Sequence, residues 1–331
     1  MKKIILAMLL LLPAGLAQAG VSEADIRDEI RQQGYALFLA DRFDELDRLA
    51  DDYRINERRT GSGVWKLDKL HKAILSTVSC NCGDEAEFIA MEKRAKRWIA
   101  QNPESTTAHI VYAKALTKRG WWHRGGGFGH EVPEASWKPF KEYVEKARLY
   151  LEERKDWLAE DPRWYVTMLE VATDQGWPRN MFYDMLKEGL SRHPDYYAIY
   201  YEAIRYLSPK WHGNERLLRD LARYAVGVTG EKDETALYAR IYWYAADIEF
   251  GRDIIIDKPH VWERMPASME DVLAHYPDQW NIINFARLAC VAGDLDTTAR
   301  MIARIDERLV PRAWGNGEPT YKQCRDWAMG I

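Results

Sequence analysis

Apolar positions recur at helical spacing along almost the whole chain. Ser22 opens a helix with Asp25 three residues on as a capping box, and Ile26, Ile30, Leu37 and Phe38 share one face of it. Phe43, Leu46, Leu49, Ala50 and Tyr53 form the apolar face of the next helix. Asp84 caps a third, carrying Phe88, Met91, Ala95, Trp98 and Ile99, and Asn102-Pro103 stops it. Similar stops are read at Asp161-Pro162, His193-Pro194 and Tyr276-Pro277. No stretch shows period-2 alternation around a hairpin turn, and the one strand-like run is Asp253–Asp257, with Ile254, Ile255 and Ile256 inside.

The stops suggest repeats. Pro162 to Pro194 spans 32 residues and Pro194 to Pro277 spans 83, within the range of helical hairpin units. Gly176 lies 18 residues before Pro194, and Gly293 lies 18 before Pro311. Each Gly would separate two amphipathic helices, and each Pro would close the second. Asp278 to Pro311 looks like a tetratricopeptide unit, departing at Thr298, where a small residue belongs; Gly34-Tyr35 with Leu37 and Phe43 resembles another. A single hairpin cannot cover its own apolar face, so neighbours must stack. The expected fold is all-α: a tetratricopeptide-like helical-repeat (α-solenoid) architecture with a Gly/Trp-rich loop insertion, in one elongated domain over residues 20–331.

Residues 1–19 read as a secretion signal. Lys2 and Lys3 precede the apolar run Ile4–Leu12, Pro13 and Gly15 break it, and Ala17-Gln18-Ala19 offers small residues for cleavage. Ile4–Ala17 is too short to span a bilayer. The pattern looks bacterial and implies a periplasmic or secreted protein with no membrane span after cleavage. The mature chain then has 312 residues, 45 basic and 51 acidic. That mild negative balance argues against nucleic acid as a partner. In an oxidising compartment a Cys290–Cys324 bridge would pin the last helix to the body. Cys80 and Cys82 enclose only Asn81; a local bridge would close almost no loop, and a zinc site with His71 lacks a fourth ligand.

Aromatics are the unusual part of the composition, with 14 Trp, 18 Tyr and 8 Phe. They concentrate where the helical pattern breaks. Five glycines fall between Gly120 and Gly129, so Arg119 to His130 reads as a loop running on to about Glu134. Trp121, Trp122, His123, Arg124, Phe128, His130 and Trp137 are the candidate ligand-binding residues there. Flat rings with cationic groups around them suit a sugar or an extended peptide; the alternative is that the rings pin the loop between helices. A metal site from His123, His130 and Glu131 matches no compact spacing, and the glycines are followed by no Gly-Lys-Ser/Thr, so no nucleotide site and no cofactor is expected. Trp177-Pro178 marks a turn, and Ser208-Pro209-Lys210-Trp211-His212-Gly213 another, with Asn214 capping the next helix. On the helix between them Tyr196 with Tyr200 and Tyr197 with Tyr201 form two adjacent stripes, one of them read as core while the other could face a concave surface.

These dipeptides resemble the bacterial domain-of-unknown-function family 4034 over residues 102–226. The resemblance rests on the Ala108–Leu116 helix running into Arg119-Gly120-Trp121-Trp122, on Trp137 with Phe140 and Ala147, on Asp161-Pro162 followed by Gly176-Trp177-Pro178, and on His193-Pro194 through Tyr206 to Gly213. The family carries two glycines after that last Trp, and His212 stands in place of the first. The resemblance brings no catalytic residue. An α/α toroid, a fold of secreted carbohydrate-active enzymes, would give a similar pattern; its paired carboxylates would be sought among Glu131, Glu134, Asp174 and Glu202, each also readable as a cap or a solvated charge. No Gly-x-Ser-x-Gly elbow or His-Glu-x-x-His helix is present, so the reading leans away from an enzyme. The expected function is an exported binding or scaffold protein holding a protein or peptide segment, with glycan binding or processing as the alternative.

Overall fold

The computed structural model describes residues 22–78, 84–315 and 319–331. The proposed signal segment and the Cys80/Cys82 pair lie outside the described residues. Those described are built from helices, and their one extended pairing is a single bridge between Arg59 and Trp65. No helix among them is long and apolar enough to cross a membrane.

The first helices open and close where the side chains dictate. Ser22 and Asp25 make the capping box of α1 (Glu23–Leu39). α2 (Phe43–Ile55) and α3 (Lys66–Leu75) follow, then α4 (Glu85–Gln101), capped by Asp84 and ended at Asn102. α5 (Thr106–Arg124) and α6 (Glu134–Glu152) form the longest antiparallel pair, followed by the single turn α7 (Lys155–Leu158). Next come α8 (Pro162–Gln175), α9 (Arg179–Arg192), α10 (Tyr197–Tyr206), α11 (Glu215–Asp233) and α12 (Ala236–Tyr244), the last passing into a π turn at Ala245–Glu249. The chain ends with α13 (Asp253–Ile256), α14 (Pro259–Trp262), α15 (Met265–His275), α16 (Gln279–Val291), α17 (Leu295–Ile302), α18 (Val310–Ala313) and α19 (Tyr321–Met329).

Three expectations are corrected here. Arg119–Arg124 is helix, not loop: α5 runs through Gly120 and stops at Gly125, whose φ of 79° ends it. Gly120 serves helix packing, since a Cβ there would lie 3.2 Å from the Phe140 carbonyl oxygen and from Tyr143 Cβ. Its missing side chain lets α5 and α6 meet closely, which offsets the roughly 1 kcal/mol a helical glycine costs. Second, the strand-like run around Ile254 is the helical turn α13, with Ile254 and Ile255 buried. Third, two of the prolines start helices instead of stopping them. Pro162 is the first residue of α8 behind the Asp161 cap, and Pro311 lies in the first turn of α18. Proline has no N–H to lose at that position.

The helices form two rows. α1, α3, α5, α8, α10, α12 and α16 make an inner row, with α2, α4, α6, α9, α11, α15 and α17 behind it. Two inner helices are covered nearly all round, Pro162–Leu169 of α8 and Asn281–Ala289 of α16 being unbroken buried runs, whereas α1 at the end of the row buries one stripe, Ile30, Gly34, Leu37 and Phe38. Outer helices bury one stripe, as α6 does with Phe140, Val144, Ala147 and Leu151. Both tyrosine stripes of α10 are engaged: Tyr196, Tyr197 and Tyr200 are buried, and half-buried Tyr201 stacks on Tyr244 of α12 at 4.6 Å.

The inner helices run in one direction. At their starting end Thr106 bonds Asp161 at 3.0 Å, and Arg240 and Asn281 both donate to the Ser62 carbonyl, at 2.8 and 3.2 Å. α12 meets α16 through Trp243 and Phe285, 5.5 Å apart. α1 packs against α16, Arg27 lies 4.2 Å over the Trp280 ring, and Arg312 pairs with Asp25 and Asp28. The two ends of the row therefore touch, where an elongated open stack would leave them apart.

Cys290 of α16 and Cys324 of α19 are joined as a disulfide. Replacing both with Ser should cost roughly 2–4 kcal/mol, because the bridge closes a loop of tens of residues in the unfolded chain. A denaturant titration of the Cys290→Ser/Cys324→Ser variant that overlays the wild type would refute this.

Candidate functional site

The sequence segments singled out above converge where α5, α8 and α10 finish. Trp121, on the last turn of α5, donates its indole N–H to Asp174 Oδ2 at 2.8 Å. Asp174, at the end of α8, accepts from Arg205 of α10 through its other oxygen at 2.7 Å. The Arg205 guanidinium lies 5.6 Å from the Trp121 ring and 4.4 Å from the ring of Trp211, and the two indoles meet edge-on at 5.9 Å. Arg205 also reaches Glu202 at 3.2 Å. One turn before Asp174, Glu170 pairs with Lys114 of α5.

Burial makes these charges matter. The Asp174 side chain is wholly buried, while those of Lys114, Glu170, Glu202 and Arg205 remain 10–19% accessible. Burial, reinforced by the Glu170 charge, pushes the Asp174 carboxyl up to about 6 against the pull of Arg205 and Trp121. Burial likewise raises Glu202 to about 7, with Glu170 and Asp174 adding to the rise. Burial also opposes the charge on Glu170, but Lys114 and Arg205 outweigh it and hold that carboxyl below its usual value. An ionised carboxylate thus sits beside two carboxyls that keep their protons towards neutrality, an arrangement able to exchange protons or accept a cation.

The predicted binding residues divide into two groups. Trp121, Trp122, His123, Arg124 and Trp137 are half-buried and tie α5 to its neighbours. Trp122 tilts against Phe88 of α4 and His123 stacks on Tyr143 of α6, at 6.2 and 5.5 Å. Arg124 lies 4.7 and 5.0 Å from the rings of Trp121 and Trp137, and donates to the carbonyls of Gly125 and Gly127. Trp137 meets Phe140 edge-on at 5.9 Å. Phe128 and His130 form the second group, stacked on each other in the short loop between α5 and α6. Phe128 is 67% exposed. Glu131 accepts the Phe128 N–H, and Glu134 is the exposed first residue of α6, so neither joins the carboxylate cluster.

Two of the four carboxylates named from the sequence, the buried Asp174 and the partly accessible Glu202, are partners of Arg205 and neither caps a helix. Sequence reasoning misses Lys114, Glu170 and Arg205. Their one signal is spacing: Glu170/Asp174 at i, i+4 and Glu202/Arg205 at i, i+3 put each pair on one helix face. The end of α10 and the turn after it are tied to the end of α8. Tyr206 donates to the Trp177 carbonyl at 2.7 Å, and a His212 ring nitrogen lies 3.1 Å from the Thr173 carbonyl. Among the described residues no group of three His, Cys, Asp or Glu is placed to hold a metal ion. Comparison with known protein families, with curated proteins and with solved structures finds no match.

Proposed function

We propose that this chain is an exported helical-repeat binding protein of the family 4034 type, taking a segment of a protein partner at the end where α5, α8 and α10 finish. The carrying observation is the charge balance of the cluster. Arg205 serves both Asp174 and Glu202, and Lys114 serves Glu170. Lys118 lies one turn beyond Lys114, but burial and the Lys114 charge lower its hold on a proton. Glu202 is left holding a proton more tightly than usual, and a basic side chain of a ligand would take that proton's place. Exposed Phe128, stacked on His130, offers an aromatic contact at the same end of α5. The Cys290–Cys324 bridge supports the exported part of the reading, since such bonds persist in oxidising compartments.

The test is a photocrosslinking residue placed at position 128, with the captured segment identified by mass spectrometry. The expected result is a defined segment containing Lys or Arg, lost in the Glu202→Gln variant. Capture of no protein, with retention on purified wall glycan, would favour the glycan alternative. One observation specifically favours a processing form of that alternative: paired carboxyls with separated proton affinities are what glycoside cleavage uses.

The binding reading also fixes a pH dependence. Glu202 must ionise to meet a cation, so affinity for the captured segment should rise with pH up to about 7, by about tenfold per unit at most for the single proton released. Calorimetric titrations between about pH 5.5 and 8 should show this slope in the wild type and a flat profile in Glu202→Gln. A wild-type profile that is itself flat would remove Glu202 from the contact.

A further inference from the structure

At the opposite end, where the inner helices start, a hollow of about 410 Å³ lies between α1 and α16. Its walls come from the two ends of the described chain: Glu23 on one side, and Asp278, Trp280, Arg308, Leu309 and Arg312 on the other. The size is that of a small-molecule pocket.

Most charges around it are already answered. Glu23 accepts from Arg27, Thr60 and Ser62 at 2.6, 2.8 and 2.7 Å. Arg308 pairs with Asp306, and Arg312 with Asp25 and Asp28. Asp278 is different. One oxygen caps α16 by accepting the Trp280 N–H at 2.8 Å. Its carboxyl is half-buried, and Glu23 repels its charge more than the nearby Arg27 offsets. No Lys, Arg or His among the described residues reaches it as an ion pair. The Trp280 indole beside it already carries one cation, the Arg27 guanidinium at 4.2 Å. With Leu309 it offers an apolar wall.

We propose that this hollow binds an organic amine, its ammonium group paired with Asp278 and its apolar body against Trp280 and Leu309. Charge complementarity selects this occupant: among the described residues of the wall, the charged group without an ion-pair partner is a carboxylate, Asp278. Because the walls come from both ends of the chain, an occupant would also hold α1 to α16.

Three probes with the same body and different charge test this: benzylamine, benzyl alcohol and benzoate, titrated calorimetrically into the whole mature protein up to about 10 mM, with thermal unfolding in parallel. Benzylamine should bind and raise the melting temperature. The alcohol should bind at least about tenfold more weakly, and benzoate not at all. Asp278→Asn keeps a good helix cap, so it should fold as the wild type does. It should lose the preference for the amine over the alcohol. Equal binding of amine and alcohol, preference for benzoate, no binding of any probe, or a preference unchanged in Asp278→Asn would each overturn the proposal.

Discussion

Asp174→Ala should lower the melting temperature by roughly 10 °C. The carboxylate is the shared acceptor of the Trp121 indole and the Arg205 guanidinium. Removing it leaves a nearly buried arginine with a single weaker partner, Glu202 at 3.2 Å, and an indole N–H with none. Breaking a buried pair from one side costs about 3–5 kcal/mol, because the surviving charge stays desolvated. At roughly two to three degrees per kcal/mol for a chain of this size, that gives the expected shift. Asp174→Asn keeps an acceptor and should lose about half as much. Since burial raises the Asp174 carboxyl, ionising it costs folding energy, and the sign follows. A group held above its unfolded value stabilises the fold most below that value and loses its contribution as pH rises through about 6. The gap between wild type and Asp174→Asn should therefore widen towards acid and narrow by about pH 7.5. Melting curves for both variants at two pH values decide this, and an alanine variant melting within a degree of the wild type would mean the node is not structural.

Gly213→Ala should be about as damaging, for a steric reason. A Cβ at 213 would lie 2.1 Å from the Leu207 carbonyl oxygen and 2.3 Å from the carbonyl carbon. Both are backbone atoms, so no side-chain rotation relieves the clash. The turn is closed by backbone bonds from Trp211 and Gly213 to Ser208 and from His212 to Tyr206. Opening it would displace Trp211 from Arg205 and His212 from Thr173. A loss of about 3 kcal/mol or more is expected, with faster hydrogen exchange confined at first to 207–214. Gly227→Ala is the matched control. Gly227 is on α11, away from the buried stripe, and the space a methyl group would take there is open, so the substitution should stabilise by roughly 0.5–1 kcal/mol. If Gly213→Ala behaves like this control, the turn is not closed as described.

The contrast between these glycines shows what a sequence can and cannot carry. Caps at Ser22, Asp84 and Asn214 are legible because the signal is local: one side chain, one exposed N–H, a fixed spacing. Gly120 misleads because local propensity favours a loop there, and the close approach of α6 that overrides it lies twenty residues away. Pro162 and Pro311 mislead because a proline ends one helix or begins another by the same geometry. The Asp174 cluster is only partly legible. Its members come from three helices up to 91 residues apart, and on any one of those helices an Asp or Glu resembles a solvated surface charge. Trp121 and Trp211 stand out as unusual residues, but nothing local indicates that Arg205 lies between them.

The touching ends of the inner row bear on how the chain reaches this state. Helical hairpins that contact only their neighbours can assemble one after another from any starting point. The contact between Arg312 and Asp28 links residues 284 positions apart. Closing a flexible loop of that length costs about 5 kcal/mol of chain entropy before any contact rewards it. Assembly of the intervening rows removes most of that cost by bringing the ends near each other. The α1–α16 seam is then the natural last event in folding, and until it forms, the flank of α1 that faces α16 stays open. A chain interrupted before α16 would keep that flank permanently exposed, which makes early termination a route to self-association.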